Sequence, residues 1–316
     1  MTDSKLLLSG SAKLKAKADR YDGPSYPELG AVKARKAFEK TSGIIDIKAE
    51  PITLIDDHVV GLLGRKLQLK RYAHQLNPEL QPALLYFHGG GFTIGSIQTH
   101  DNLCRSLAAK SGVMILSLEY RLAPEHPFPA AVNDALDTLL WLRSNANLMG
   151  IDENRIALGG DSAGGNLAAI TAISARNLHI PIALQLLFYP NLASDLISAS
   201  QYEFATGYLL DRKTIEWFYA GYRSEAEAQT WRFAPLLADD LAGICPAWLG
   251  LASHDPLRDE GLAYAERLAH AGVKVSCQVF SGMMHNFMMH GGLIPEVLLA
   301  HKEAADALAA ALNLKQ

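Results

Sequence analysis

"LGGDSAGGN", residues 158–166, sets one serine hydroxyl among four glycines and an alanine, after the apolar run 155–158 and before the helix-like stretch 166–175. Within it, Gly160-Asp161-Ser162-Ala163-Gly164 fits Gly-x-Ser-x-Gly at a strand-to-helix turn. Such a turn strains the backbone of the central residue, and positions two away must lack bulk so that strand and helix can approach. The amino terminus of the following helix also directs unpaired N–H groups and a partial positive charge at any anion formed on the hydroxyl. A glycine-rich turn with an incidental serine would share the pentapeptide. A Walker-type phosphate loop would not, because it needs Gly-Lys-Ser/Thr where this chain has Gly-Gly-Asn.

Outward from that turn, short apolar runs alternate with helical patterns. The runs are "PALLYF" (82–87), "VMILSLEY" (113–120), "RIALGG" (155–160), "IALQLLFYP" (182–190), "PAWLGLASHD" (246–255) and "VKVSCQVF" (273–280). Helices are predicted over about 101–110, 129–145, 163–175, 259–271 and 295–312. Continuous apolar runs are what strands buried on both faces look like, and their alternation with helices predicts an α/β fold with a mainly parallel, doubly wound sheet. Two regions break the alternation. Residues 1 to about 45 are lysine-rich and helix-like without a strand, and about 192–237 carry helix patterns and aromatics between two strands. An insertion there lies at the carboxyl edge of the sheet, where open α/β folds bind ligands. The two regions either form a lid or are long surface connections with their own helices, on one domain spanning 1–316.

Hydrophobic residues make up 49% of the 316 and charged residues 20%, which suits a large core and excludes compositional disorder. A net charge of -4 provides no basic field for nucleic acid. The three cysteines, Cys104, Cys245 and Cys277, lack metal-ligand spacing and are too few for a disulfide framework, so reduced, buried thiols are expected. The amino-terminal twenty residues lack a signal peptide's apolar stretch, and no segment approaches the ~20 apolar residues that span a bilayer. A cytoplasmic protein with no membrane span is expected.

A second glycine cluster, "YFHGGGF" (86–92), follows a strand. Glycines let backbone approach a ligand closely, so the N–H groups of Gly89 and Gly90, with that of Ala163, are expected to converge on a carbonyl oxygen becoming an oxyanion. A serine hydroxyl also needs a base, and the base needs an orienting acid. In the order Ser, Asp, His, the chain offers Asp255 in "SHDPLRDEG" and His285 in "FSGMMHNF", both at carboxyl ends of predicted strands and on the same edge as Ser162. His290 is the nearest rival of His285; His254 would break the order. His88 is expected to shape the glycine loop, whereas His100 and His126 are expected to lie outside the site. Asp259 and Glu260 compete with Asp255 but begin a predicted helix, where carboxylates complement the dipole.

"HGGGF", "GDSAGG", "YRLAPEHPFPAA", "DPLRDEG" and "GMMHNF" resemble, in this order, the bacterial carboxylesterases of the hormone-sensitive lipase family, over residues from about 86 to the carboxyl terminus. The resemblance implies an α/β-hydrolase core with a helical cap, and hydrolysis of short- to medium-chain acyl esters with no cofactor or metal. It implies a catalytic Ser162, Asp255 and His285 and oxyanion donors Gly89, Gly90 and Ala163. A small-molecule ester is the expected partner. A peptidase on the same fold and a noncatalytic receptor are the other readings; His285 argues against the receptor.

Several residues carry finer expectations. Arg121 and Glu125 are expected to tie the proline-rich loop 120–130 by an ion pair. Asp161 is expected to hold backbone N–H groups of the glycine loop. Trp217, Phe218 and Tyr222 either face the acyl group or pack within the cap. The strand 273–280 leaves both a homodimer edge and a solvent-blunted edge open.

Overall fold

Eight strands form one sheet in the computed structural model, which describes residues 6–62, 64–75 and 79–314. They are β1 (Leu54–Leu62), β2 (Arg65–Ala73), β3 (Gln81–Phe87), β4 (Met114–Glu119), β5 (Ile151–Asp161), β6 (Gln185–Phe188), β7 (Ala247–His254) and β8 (Val275–Met284), in the spatial order β1-β2-β4-β3-β5-β6-β7-β8. From β4 to β8 every pairing is parallel; β1 and β2 join antiparallel at one edge. This is the mainly parallel doubly wound sheet expected, with every residue of β3, β6 and β7 buried.

The β1–β2 hairpin was not among the predicted strands. Its side chains alternate instead of forming an apolar run: in β2, Leu67 and Leu69 are buried while Lys66 and Gln68 are exposed. A half-solvated antiparallel edge produces that pattern.

Successive side chains of a strand point to opposite faces, and β3 divides the core accordingly. Ala83, Leu85 and Phe87 join one apolar cluster with α4 (Ala130–Ser144), α5 (Ala163–Asn177) and α9 (Arg258–His270). Leu84 and Tyr86 join another with α3 (Asp101–Ser111) and α10 (Val297–Ala311). The amino-terminal segment folds as α1 (Ser9–Ala18) and α2 (Tyr26–Ile45), its first five residues lying outside those described. Glu28 reaches back to cap the start of α2: the Ser25 N–H and hydroxyl both donate to its carboxylate, at 2.8 and 2.7 Å. The insertion after β6 holds α6 (Ala199–Glu203), α7 (Arg212–Tyr222) and α8 (Glu225–Ala228), and α2 packs against α7. No helix among the described residues is long and apolar enough to cross a membrane.

Cys104 is buried, Cys245 half-buried and Cys277 exposed, all with free thiols. The expectation of buried thiols therefore fails at Cys277, which sits on the edge strand β8 where a face is open to solvent.

Candidate active site

Ser162 stands between β5 and α5 with φ 52° and ψ -117°, a left-handed conformation that side chains rarely adopt. Its N–H donates to Phe188 O at 2.9 Å, and its carbonyl accepts from Asn191 N at 3.1 Å, so the neighbouring strand end holds the strain in place. The flanking glycines are a packing requirement. A Cβ at Gly164 would fall on the carbonyl oxygen of Phe87, and one at Gly160 on the backbone of Gly164.

Asp255 follows β7 and His285 follows β8, at the same sheet edge as Ser162. Asp255 is wholly buried; its Oδ1 accepts from Leu257 N at 2.8 Å and its Oδ2 faces His285 Nδ1 at 2.8 Å. Because an ionised carboxylate only accepts, Nδ1 carries the hydrogen and Nε2 keeps the lone pair. That lone pair faces Ser162 Oγ at 3.1 Å. The three residues thus form one hydrogen-bonded line, and an edge-on contact with Tyr189, centroids 4.8 Å apart, supports the His285 ring. Neither rival histidine joins it. His254 hydrogen-bonds Ser253 Oγ at 2.8 Å and lies beside Phe204 and Tyr208, while His290 makes no hydrogen bond to Ser162 or Asp255.

Asp161 is nearly fully buried and collects donors from three directions. Its Oδ1 accepts from Tyr86 OH at 2.7 Å and from Gly89 N at 2.9 Å, and His100 Nε2 lies 3.2 Å away. Burial alone would raise the Asp161 carboxyl, but the charge of His100 and the hydrogen bonds outweigh it and hold the pKa below its ordinary value. Burial likewise depresses His100, yet the Asp161 carboxylate prevails and raises it. The expected tie from Asp161 to the glycine loop is therefore present, and His100, expected outside the site, completes it. A histidine 61 positions before its partner gives no local signal.

The same bond decides which N–H groups of the glycine loop are open. The Gly89 N–H is spent on Asp161, and Gly89 does not line the cavity above Ser162, whereas Gly90 and Gly91 do. Gly90 (φ 122°) and Gly91 (φ 58°) adopt glycine-only or glycine-favoured backbone, and Gly90 O accepts from Thr93 and Ile94 N at 3.0 and 2.9 Å, which fixes the turn. No described group accepts from their N–H groups, and that of Ala163 is the unpaired first donor of α5. The open donors are thus Gly90, Gly91 and Ala163, a one-residue shift from the expected set. His88 shapes the loop as expected: its Nδ1 meets Gly89 O at 2.8 Å, its ring stacks on Tyr120 at 4.2 Å, and burial pushes its pKa down to about 3.

Asp259 and Glu260 occupy the first turn of α9, and both tie the insertion to it: Asp259 accepts from Ser200 N and Glu260 from Ala193 N, each at 2.7 Å. The expected Arg121–Glu125 pair does not form. Arg121 instead holds Asp134, at 2.9 Å from Nε and 2.8 Å from Nη2, because α4 brings a buried carboxylate beside it. Glu125 reaches Arg35 of α2, at 2.9 and 2.5 Å.

A cavity of about 700 Å3 opens above Ser162 and His285, walled by α2 and α7. Tyr26, Leu29 and Phe38 line it from one side, Ile215 and Phe218 from the other. The three insertion aromatics divide: Phe218 faces the cavity, Trp217 packs on it at 5.1 Å, and Tyr222 is buried in a stack on Phe92 at 4.0 Å. Among the described residues, no three His, Cys, Asp or Glu side chains converge to hold a metal ion.

Comparisons with known proteins agree with this architecture. A family model described as the alpha/beta hydrolase fold matches residues 84–289. The chain is 42% identical over 275 residues to an ethyl acetate hydrolase of Pseudomonas putida, covering 85% of this chain and 86% of that protein. It is 38% identical over 269 residues to the carboxylesterase NlhH of Mycobacterium tuberculosis, covering 83% and 84%. Its structure is similar, with a TM-score of 0.94 and 37% identity, to an ester hydrolase from the metagenome of Lake Arreo complexed with a bipyridine phosphonate derivative, over 98% of this chain and 100% of that one.

Proposed function

The chain belongs to the α/β-hydrolase family, among the carboxylesterases that resemble hormone-sensitive lipase, and from that premise we propose that it hydrolyses short- to medium-chain acyl esters through Ser162, His285 and Asp255. The observation that carries the reading is the line from Asp255 through His285 to Ser162, at 2.8 and 3.1 Å.

His285 Nε2 takes the Ser162 proton as Oγ attacks the ester carbonyl. The oxygen that gains charge is held by the N–H groups of Gly90, Gly91 and Ala163, fixed before reaction so that no reorganisation is needed at the transition state. The tetrahedral intermediate collapses as His285 hands its proton to the departing alkoxide, releasing an alcohol and leaving an acyl-enzyme. Water, deprotonated by His285, attacks that acyl group; the second intermediate expels Ser162 Oγ, which recovers its proton. Asp255 keeps the imidazole in the required tautomer and stabilises its cationic form.

Helices α1, α2 and α6 to α8 act as a cap that closes the cavity over the serine. Glu28 and Asp211 border the cavity and no lysine or arginine does among the described residues, which favours uncharged esters over those bearing a free carboxylate. The test is a panel of p-nitrophenyl esters from acetate upward, with and without a serine-directed phosphonate. Hydrolysis that peaks at short or medium chains and disappears with the phosphonate is expected. Binding without turnover would favour a receptor, and amide cleavage exceeding ester cleavage a peptidase.

A further inference from the structure

The cavity wall beside His285 holds a second imidazole that the mechanism does not use. His290 lines the same cavity as Ser162 and His285 yet is only 4% exposed. Its backbone is committed, with N–H donated to Phe287 O at 2.9 Å and carbonyl accepting from Leu293 and Ile294 N, so the ring is held where the chain puts it. The ring itself is not committed: Nδ1 is shielded and without a partner, and no described group hydrogen-bonds Nε2.

With Nδ1 shut away from both protein and cavity, Nε2 is the ring nitrogen left to meet a ligand, and a polar ligand group placed in a largely buried wall loses its water unless such a partner replaces it. The tautomer follows from the same accounting. A shielded N–H with nothing to accept it is worse than a shielded lone pair, so Nδ1 carries the lone pair and Nε2 the hydrogen. Burial and the adjacent His285 push the His290 pKa down to about 3, so the ring is a neutral donor at neutral pH. The cavity border adds carboxylates and no described cation, so the matching group is an uncharged oxygen.

We propose that His290 is a specificity-determining residue whose Nε2–H donates to an ether or carbonyl oxygen of the substrate other than the scissile one, so that the protein prefers neutral esters carrying a second oxygen over hydrocarbon esters of the same shape. The inference rests on the esterase reading above.

The test uses two isosteric pairs followed by pH-stat: ethyl methoxyacetate against ethyl butanoate for the acyl side, and 2-methoxyethyl butanoate against butyl butanoate for the alcohol side. Intrinsic reactivity cancels when the ether-to-alkyl ratio of kcat/KM in the wild type is divided by that in His290→Leu. One neutral hydrogen bond predicts a quotient of about three- to tenfold for at least one pair. His290→Gln, which keeps a donor at similar reach, is expected to retain part of the preference; His290→Met replaces the leucine variant should that one fail to fold. A quotient within about twofold of unity for both pairs overturns the inference while leaving the esterase reading intact, and an equal loss in the Gln and Leu variants overturns it in favour of shape alone. If the wild type hydrolyses none of the four esters, or Ser162→Ala hydrolyses them as well as the wild type does, the esterase reading falls and this inference with it.

Discussion

Replacing Asp161 by alanine should separate the fixing of the oxyanion loop from the binding of substrate. The side chain touches no substrate atom in the proposed chemistry, but its Oδ1 is the acceptor for both Tyr86 OH and Gly89 N, and His100 pairs with the carboxylate. Alanine strands all three donors in the interior. Breaking a buried pair by removing one partner costs about 3–5 kcal/mol, and because His100 can shed its proton the lower end applies. For a chain of 316 residues that is a fall in Tm of about 5 °C. Turnover should suffer more than affinity. Gly90 and Gly91 follow directly on Gly89, and a misplacement of ~1 Å or the loss of one oxyanion donor costs about 10²-fold or more in kcat, whereas KM should stay within about threefold because these contacts strengthen only in the transition state. Asparagine is the graded control. Its Oδ1 can keep both Tyr86 and Gly89, its amide replaces Oδ2 opposite His100, and the loss of charge weakens the bonds by about half, for a drop of about tenfold. The pH dependence has a definite sign. The lowered Asp161 pKa contributes stability above the ordinary 3.8 that is lost on acidification, and the raised His100 pKa contributes stability below 6.5 that is lost as pH rises through its folded value. The Tm gap between wild type and Asp161→Ala should therefore be widest between about pH 4 and 6.5. Steady-state kinetics on p-nitrophenyl butanoate and thermal scans across pH read both effects. A kcat for the alanine variant within threefold of wild type would refute the reasoning.

Three further outcomes are expected. Arg35→Ala removes bonds to the carbonyls of Thr93 and Ala123, both 2.7 Å, and the pair with Glu125, so α2 should loosen; KM for longer esters should rise with kcat little changed, and limited proteolysis within residues 1–50 should accelerate. Gly164→Ala forces a methyl onto the Phe87 carbonyl at the end of β3, and a loss of about 1–3 kcal/mol in denaturant unfolding with activity down by at least about 10²-fold is expected. Asp46 is held up at about 6 by burial, against hydrogen bonds that pull it down, so the folded state retains its proton and loses stability as pH rises from 3.8 to about 6. Asp46→Asn should therefore be the more stable form above pH 6, by about 1–2 kcal/mol after allowing for partial exposure, with the gap closing near pH 4.

What could be read from the sequence follows from how far each interaction reaches along the chain. Strands β3 to β8 declare themselves because double burial makes them continuously apolar, and Ser162, Asp255 and His285 because each directly follows such a strand. The β1–β2 hairpin stays hidden because a half-wet edge alternates. His100, Arg35 and the true partner of Glu125 stay hidden because their contacts are set by packing: Arg35 meets Glu125 across 90 positions. Which N–H groups of the glycine loop stay open is harder to read. In three consecutive glycines nothing local distinguishes Gly89 from Gly91, and only the bond from Gly89 to Asp161 shifts the open pair to Gly90 and Gly91. Arg121 shows the same limit, since Glu125 is nearer in sequence but α4 presents Asp134.

Intact-mass and peptide-mapping spectrometry after treatment with a p-nitrophenyl alkylphosphonate bears most directly on the claim that Ser162 is a nucleophile activated by His285. One phosphonyl group per chain, mapped to Ser162, formed at least about 10²-fold more slowly in His285→Ala and absent from Ser162→Ala, is the expected result. Labelling at another residue, or Ser162 labelled as quickly without His285 as with it, would contradict the account.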